Sequence, residues 1–455
     1  MQSRAFKNKT VAVFGLGKSG LSTAKCLLEG GARVVAWDDN DARRAEVQKL
    51  GAEITLFTEG VFEDVAALVL SPGVPLTHPE PHPVVELAKA ANVPIIGDVE
   101  IFLKERSGGK LIGITGTNGK STTTALIHHM LEYADRKVAV GGNIGTPVMD
   151  LPDLGADGIY VLELSSYQLD LTPNWQADVA VLLNITPDHL DRHGDMAGYA
   201  AVKKKIFQNQ QMGSFAVLNA DDALCEQIAG DIDQDAGAAQ VLISTTRRLP
   251  NGVSVLDGVL EDASSDNHIW QIDISDVETL RGQHNWQNAA AAVAVCRAVG
   301  LSDHEIASGL KSFEGLPHRM EFVAEKDGVK FINDSKATNA DAAEKSLKAY
   351  ENIHWIAGGR GKAGGIASLA PLFDRVVHAY LIGEDASNFA LTLEGKVPYT
   401  VCGTLDKAVV AATNAAMSER AATVLLAPAA ASFDQFPSFE ARGDRFRELV
   451  MEVIK

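Results

Sequence analysis

The segment richest in chemistry is TGTNGKST, residues 115–122. An apolar run, LIGIT (111–115), leads into it and a helical pattern follows. Gly116, Thr117, Asn118 and Gly119 offer successive backbone N–H groups that can cradle phosphate oxygens. Lys120 would neutralise charge on the β- and γ-phosphates, and the hydroxyl of Ser121 or Thr122 would ligate Mg²⁺. The strict spacing of such loops asks for glycine at 114. This chain has Ile114 there, with Gly113 one place earlier. A nucleoside triphosphate, ATP, is the expected ligand.

A second glycine loop lies near the start. VAVFGLGKSG (11–20) reads as a strand, then Gly15-x-Gly17-x-x-Gly20, then a helix. The strand after that helix ends in Asp38. Two glycines allow the turn and close approach, the helix N-terminus suits phosphate, and an acid about 20 residues on suits a ribose hydroxyl. The pattern fits any ligand with a diphosphate and a ribose, and does not by itself specify a nicotinamide.

Other polar residues fall at strand ends, where open α/β sheets place their ligands. Glu163 closes YVLEL (160–164), His189 follows VAVLLN (179–184), and Asp334 ends FIND (331–334). Taken singly, such a glutamate can cap a helix and such a histidine can be a core residue. Lys203 lies in YAAVKKKIF, and three consecutive lysines are most simply a solvated helix face.

TGTNGKST resembles the ATP loop of the Mur ligases and their folyl-polyglutamate relatives, and the likeness runs the whole chain. Asn143 in GGNIGTP, Glu163 in LELSSYQL, His189 in NITPDHLDRH, Arg319 in GLPHRME and NDSKATN (333–339) are similar to successive blocks of that family. GLGKSG, NDSKATN and SFDQFPSFEARG (432–443) together resemble the branch that adds D-glutamate to UDP-MurNAc-L-Ala. The resemblance implies an acyl-phosphate reaction driven by ATP, with two Mg²⁺ ions. It places one ion near Ser121 and Glu163 and a second near His189. It implies that Lys203 is carbamylated and holds Mg²⁺, with Lys204, one residue on, as the alternative. Nucleotide contacts would come from Asn288, Arg319 and Asp334. D-glutamate contacts would come from Thr338, Lys362, Ser432 and Phe439. Contacts to the UDP substrate would come from Gly17, Lys18, Ser19, Asp38, Ser71, Pro72, Gly73 and Asn143. Relatives often carry a basic residue two places after the first acid of WDDND; here Asn40 stands there, leaving the uracil contact open. Asp334 and His189 are both candidates for the base that deprotonates the attacking amine.

These residues need a frame to hold them. Short Val/Ile/Leu-rich runs alternate with longer helical patterns from end to end, and most do not alternate with polar residues. That is the pattern of parallel strands covered on both faces. An α/β chain of three domains is expected, consistent with about 150 residues per domain. The divisions are a Rossmann-like domain (1–98) for the UDP substrate, a central P-loop domain (99–315) for ATP, and a Rossmann-like domain (316–455) for the amino acid. Residues 230–280 carry short β-like pieces, expected as an antiparallel edge or a small subsheet. A hinge is expected near 314–317.

Composition narrows the function classes. The chain has 455 residues, 41 basic and 59 acidic, for a net charge of −18. That field repels nucleic acid and anionic lipid, so neither is an expected partner. Its four cysteines form no CxxC pair, which fits a reducing cytoplasm. No secretory leader is read at the N-terminus and no apolar stretch approaches the ~18 residues of a membrane span. A cytoplasmic monomer is expected. A nicotinamide dehydrogenase would leave the 115–122 loop unexplained, and a nucleotide-binding regulator would not need Glu163, His189 and Asp334.

Overall fold

The computed structural model describes residues 4–233, 237–265, 268–361, 364–419 and 421–455. The chain forms two compact units. The first runs up to Ile274 and takes in Asn285–Ser312; the second holds Ser275–His284 and Phe313–Lys455.

The first unit carries two sheets. One has five parallel strands in the order Glu53–Ile54, Arg33–Trp37, Thr10–Phe14, Val65–Leu70, Ile95–Ile96. The other has nine strands. Its parallel part runs Gly252–Leu256, Ala238–Ser244, Ser214–Asn219, Val179–Leu182, Lys110–Thr115, Ile159–Glu163, Val138–Gly142. Val259–Ser265 and His268–Asp273 extend its far edge antiparallel. The β-like pieces of 230–280 thus lengthen the large sheet. Backbone bonds join the two sheets' surroundings: Gly97 N–H donates to Leu171 O at 2.7 Å.

The second unit has one six-stranded sheet, ordered Glu321–Lys326, Val329–Asn333, Thr423–Leu426, Ile353–Gly358, Val376–Ile382, Tyr399–Gly403. Only the first pair is antiparallel. The closing helix Phe439–Val453 buries Phe446, Leu449 and Val450, the apolar stripe of its sequence.

One packing detail explains the loop spacing. Strand Lys110–Thr115 is buried from Leu111 onward. A Cβ at Gly113 would lie 2.3 Å from the ring of Trp175, which is fully buried and donates from Nε1 to Ile206 O at 2.8 Å. Gly113 therefore serves the packing of the strand. Gly116, at φ +153°, opens the loop itself.

Candidate active site

Helix Lys120–Tyr133 begins within the 115–122 segment, capped by Gly119 in a left-handed conformation at φ +85°. A Cβ there would lie 2.3 Å from Asn288 Oδ1. Asn288 is buried behind the loop and also accepts from Thr123 Oγ1 at 3.2 Å. The NITPDH segment braces the other side. Asn118 N–H donates to Asn184 Oδ1 at 2.8 Å, and Asn184 Nδ2 returns a bond to Asn118 O. Thr186 N–H donates to Thr117 Oγ1 at 3.0 Å. The Lys120 amine lies over its own loop, donating to the carbonyls of Gly116 and Thr117, both at 2.8 Å.

Glu163 ends the strand beside the loop. Asn143 Nδ2 donates to its Oε1 at 2.8 Å, and Asn143 N–H donates to its carbonyl at 2.8 Å. Its Oε2 is buried with no hydrogen-bond partner. An unpartnered buried carboxylate oxygen is costly unless a donor or cation meets it.

Lys203 points inward from helix Met196–Lys204 and is 1% exposed. Its Nζ donates to Gly116 O at 2.9 Å and lies 4.8 Å from the Tyr199 ring centre. Burial, reinforced by the Lys120 charge, lowers its pKa to about 7. The other two lysines face elsewhere: Lys204 pairs with Asp231 at 2.8 Å and Lys205 with Asp170 at 2.6 Å. The helical turn thus separates the three, and only the first reaches the loop.

His189 takes a left-handed backbone, φ +53°, at the start of the short helix Leu190–His193. Its ring lies 5.0 Å from that of Tyr167 and 6.5 Å from that of Tyr199. Its Nε2 is 3.4 Å from Asp188 Oδ2. The bare Glu163 oxygen could meet a hard cation, while among the described residues no group of three or more His, Cys, Asp or Glu side chains is gathered into a metal site.

At the first glycine loop, Gly15 has φ +88°, and a Cβ on Gly20 would lie 2.0 Å from Gly15 O, so close approach demands glycine there. Gly17 caps helix Lys18–Glu29. Lys18 is exposed, while Ser19 bonds the buried carboxyl of Asp98. Asp38 accepts Leu16 N–H at 2.6 Å and Asn40 N–H at 2.8 Å. Burial alone would raise its pKa; those bonds and Arg43 outweigh burial and hold it below the usual range. Asp38 therefore braces the loop. The turn Ser71-Pro72-Gly73 lies against it, with Ser71 N–H donating to Phe14 O at 2.9 Å. Guanidinium groups do reach this corner, from one helical turn beyond Asn40. Arg43 Nη1 is 3.4 Å from Asp38 Oδ2, and Arg44 lies 4.4 Å over the Trp37 ring.

In the second unit, Asp334 is buried after strand Val329–Asn333, with its Oδ2 bonded to Ser346 Oγ. Burial raises its pKa to about 6 against the pull of Ser346 and Arg319. Left-handed His318 and Met320 flank Arg319. Lys336 sits 3.8 Å over the ring of Phe439, and Ser335 Oγ donates to Phe439 O at 2.8 Å. Thr338 follows in the same loop, its N–H bonded to Lys336 O at 2.7 Å. Ser432 is 2% exposed and its Oγ has no partner. Lys362 lies outside the described residues.

Three family models match in succession: the MurD-like N-terminal domain at 9–97, the Mur ligase middle domain at 114–296, and the Mur ligase glutamate ligase domain at 318–430. The chain belongs to the Mur ligase family. Its relatives include a protein of Caulobacter sp. (strain K31) called UDP-N-acetylmuramoylalanine–D-glutamate ligase. The two are 50% identical over 98% of this chain and 97% of that protein. A protein of the same name from Paramagnetospirillum magneticum is 51% identical over 98% and 96%. Among solved structures, UDP-N-acetylmuramate-alanine ligase MurC from Thermotoga maritima matches with TM-score 0.56 and 20% identity, over 98% of this chain and 99% of that one. MurF from Acinetobacter baumannii matches with TM-score 0.59 and 17% identity, over 97% and 93%. At those identities the structures speak for the Mur ligase fold alone.

Sequence reasoning missed several residues of this Mur ligase that brace the site. Asn184, Tyr167, Arg192 and Tyr199 all lie inside quoted motif strings. Nothing in their types alone marked them.

Proposed function

We propose that this chain is an ATP-dependent ligase that joins D-glutamate to UDP-MurNAc-L-Ala. The observation that carries the reading is the near-full-length identity, about half, to relatives bearing that activity's name. The site chemistry is consistent with it. The γ-phosphoryl group of ATP passes to the terminal carboxylate of UDP-MurNAc-L-Ala, giving an acyl phosphate and ADP. The amine of D-glutamate attacks the acyl carbon, phosphate leaves, and an amide forms.

In this reading the 115–122 loop and Lys120 orient the triphosphate. Ser121, Glu163, His189 and a modified Lys203 would hold two Mg²⁺ ions, which offset charge on phosphoryl oxygens when bound. Lys203 is the residue to be carbamylated: near pH 7 a good part of its amines are neutral, and a neutral amine adds CO₂ with loss of a proton. The product is a carboxylate-like group beside Gly116. Thr338, Lys362, Ser432 and Phe439 would receive D-glutamate, the lysine and the hydroxyls suiting a dicarboxylate. Asn288, Arg319 and Asp334 would serve the nucleotide. Gly17, Lys18, Ser19, Asp38, Ser71, Pro72, Gly73 and Asn143 would receive the UDP substrate. The chain would act as a cytoplasmic monomer. Among the described residues no helix is long and apolar enough to cross a membrane.

The deciding experiment is phosphate release from ATP with UDP-MurNAc-L-Ala present, comparing D-Glu, L-Glu, L-Ala and no amino acid. Release that depends on D-Glu, with a product one glutamyl residue heavier, is expected. Release with another amino acid would move the chain to a sister ligase.

A further inference from the structure

The short helix that carries His189 also carries a cation with a different target. Arg192 reaches back to the substrate-side turn at 71–74. Its Nη1 donates to Gly73 O at 2.9 Å, and its Nη2 to Val74 O at 2.8 Å and Pro72 O at 3.5 Å. The same guanidinium lies 4.7 Å over the ring of Tyr167, whose ring also lies 5.0 Å from that of His189 and 5.5 Å from that of His193. One residue past the helix, a Cβ at Gly194 would lie 2.9 Å from His78 Nε2, so the continuing loop also packs closely here.

The turn is closed by Val74 N–H to Ser71 O at 2.9 Å, and Ser71 presses on the first glycine loop: a Cβ at Gly15 would lie 2.5 Å from Ser71 Cβ. A continuous line of contacts therefore runs from Gly15 through Ser71–Val74, Arg192 and Tyr167 to His189. A trans peptide carries its C=O and N–H on opposite sides. Carbonyls of Pro72 and Gly73 drawn to Arg192 thus fix which way the turn's N–H groups face.

We propose that Arg192 is a positioning residue that holds the Ser71–Val74 turn in register with His189. It would thereby set the bound sugar-diphosphate substrate at a fixed reach from the phosphoryl-transfer residues. The proposal rests on the functional reading above. The residue type fits the task. Three carbonyls from consecutive residues need a planar fork of donors, which a lysine's single ammonium cannot reproduce. The Arg192 Nε is buried without a partner. The side chain is thus aimed at the turn even though one of its own donors goes unmet.

The test uses the full chain with Arg192→Ala, Arg192→Gln and Arg192→Lys. Loss of charge-assisted bonds that organise a loop is expected to raise KM for UDP-MurNAc-L-Ala roughly 10–100-fold in the Ala and Gln variants. KM for ATP and for D-Glu should stay within about twofold, with partial recovery in the Lys variant. Calorimetry with UDP alone as probe should show the same order of weakening, and this arm needs no turnover. An unchanged KM for the UDP substrate, or an equal rise in all three KM values, would overturn the proposal. A wild-type chain that binds UDP, with the variants weakened, but shows no D-Glu-dependent turnover would defeat the functional reading and leave this one standing. If the Ala variant fails to fold, the Gln and Lys variants decide, provided their melting temperatures match the wild type.

Discussion

Lys203 Nζ lies 2.9 Å from the carbonyl oxygen of Gly116, across 87 residues of sequence. Burial, reinforced by the Lys120 charge, lowers the pKa of this amine to about 7, and in its ammonium form it would oppose a cation at the phosphate-binding loop. Conversion to a carbamate reverses the sign of the charge. Lys203→Ala is expected to lose roughly 100-fold or more of the turnover, with no response to added bicarbonate. Lys204→Ala, which breaks only an exposed ion pair, should stay within about threefold of wild type. Full activity in Lys203→Ala would remove the assignment.

Ser432 holds a buried hydroxyl with no partner in the second unit. Removing an unsatisfied hydroxyl costs little stability, and losing it as a substrate donor costs affinity. Ser432→Ala should melt at or slightly above the wild-type temperature while KM for D-Glu rises roughly 5–30-fold. A drop in melting temperature with KM unchanged would make the residue structural.

Asp334 offers a pH signature. Its folded pKa is raised to about 6, burial being the main cause. A raised pKa means the native state favours the protonated acid. That stability is fully present below about pH 4 and is lost as the pH rises through about 6. Asp334→Asn, which keeps an acceptor for Ser346, should therefore be more stable than wild type at pH 8. The advantage should shrink toward nothing at pH 4. Thermal melts of both proteins across that range check it, and a difference that is flat with pH counts against it.

Gly113 tests the packing behind the ATP loop. Gly113→Ala places a methyl group 2.3 Å from the buried Trp175 ring. Overpacking of this kind costs roughly 1–3 kcal/mol. Denaturant unfolding should show it, and the double variant Gly113→Ala/Trp175→Phe should recover part of the loss because a smaller ring frees the space. A neutral single variant would mean that the helix layer shifts easily.

Much of this protein was legible from local pattern. Runs such as LIGIT and VAVLLN, short, β-branched and apolar without alternation, have the pattern of strands covered on both faces, and their alternation with helical patterns pointed to the parallel α/β class. The two glycine loops were legible because positive φ and close approach leave few residue choices, as at Gly116 and Gly20. The pieces at 230–280 were readable as an antiparallel edge or a small subsheet, and the fold makes them the antiparallel edge of the large sheet, a choice between pairings set by contacts distant in sequence.

What tertiary structure decided is which side chains meet. Three lysines in a row are chemically alike; only the direction each leaves its helix separates Lys203 at the loop from Lys204 and Lys205 in surface pairs. Asp38 read as a ligand position by its spacing alone; only the folded chain shows that its two oxygens also accept backbone N–H groups that shape the loop. Arg192 carried no signal in its motif, because its partners lie about 120 residues away. Local sequence determines φ, ψ and burial pattern over a few residues. The environment that shifts a pKa or gives a guanidinium its target is assembled from remote segments, and only their packing specifies it.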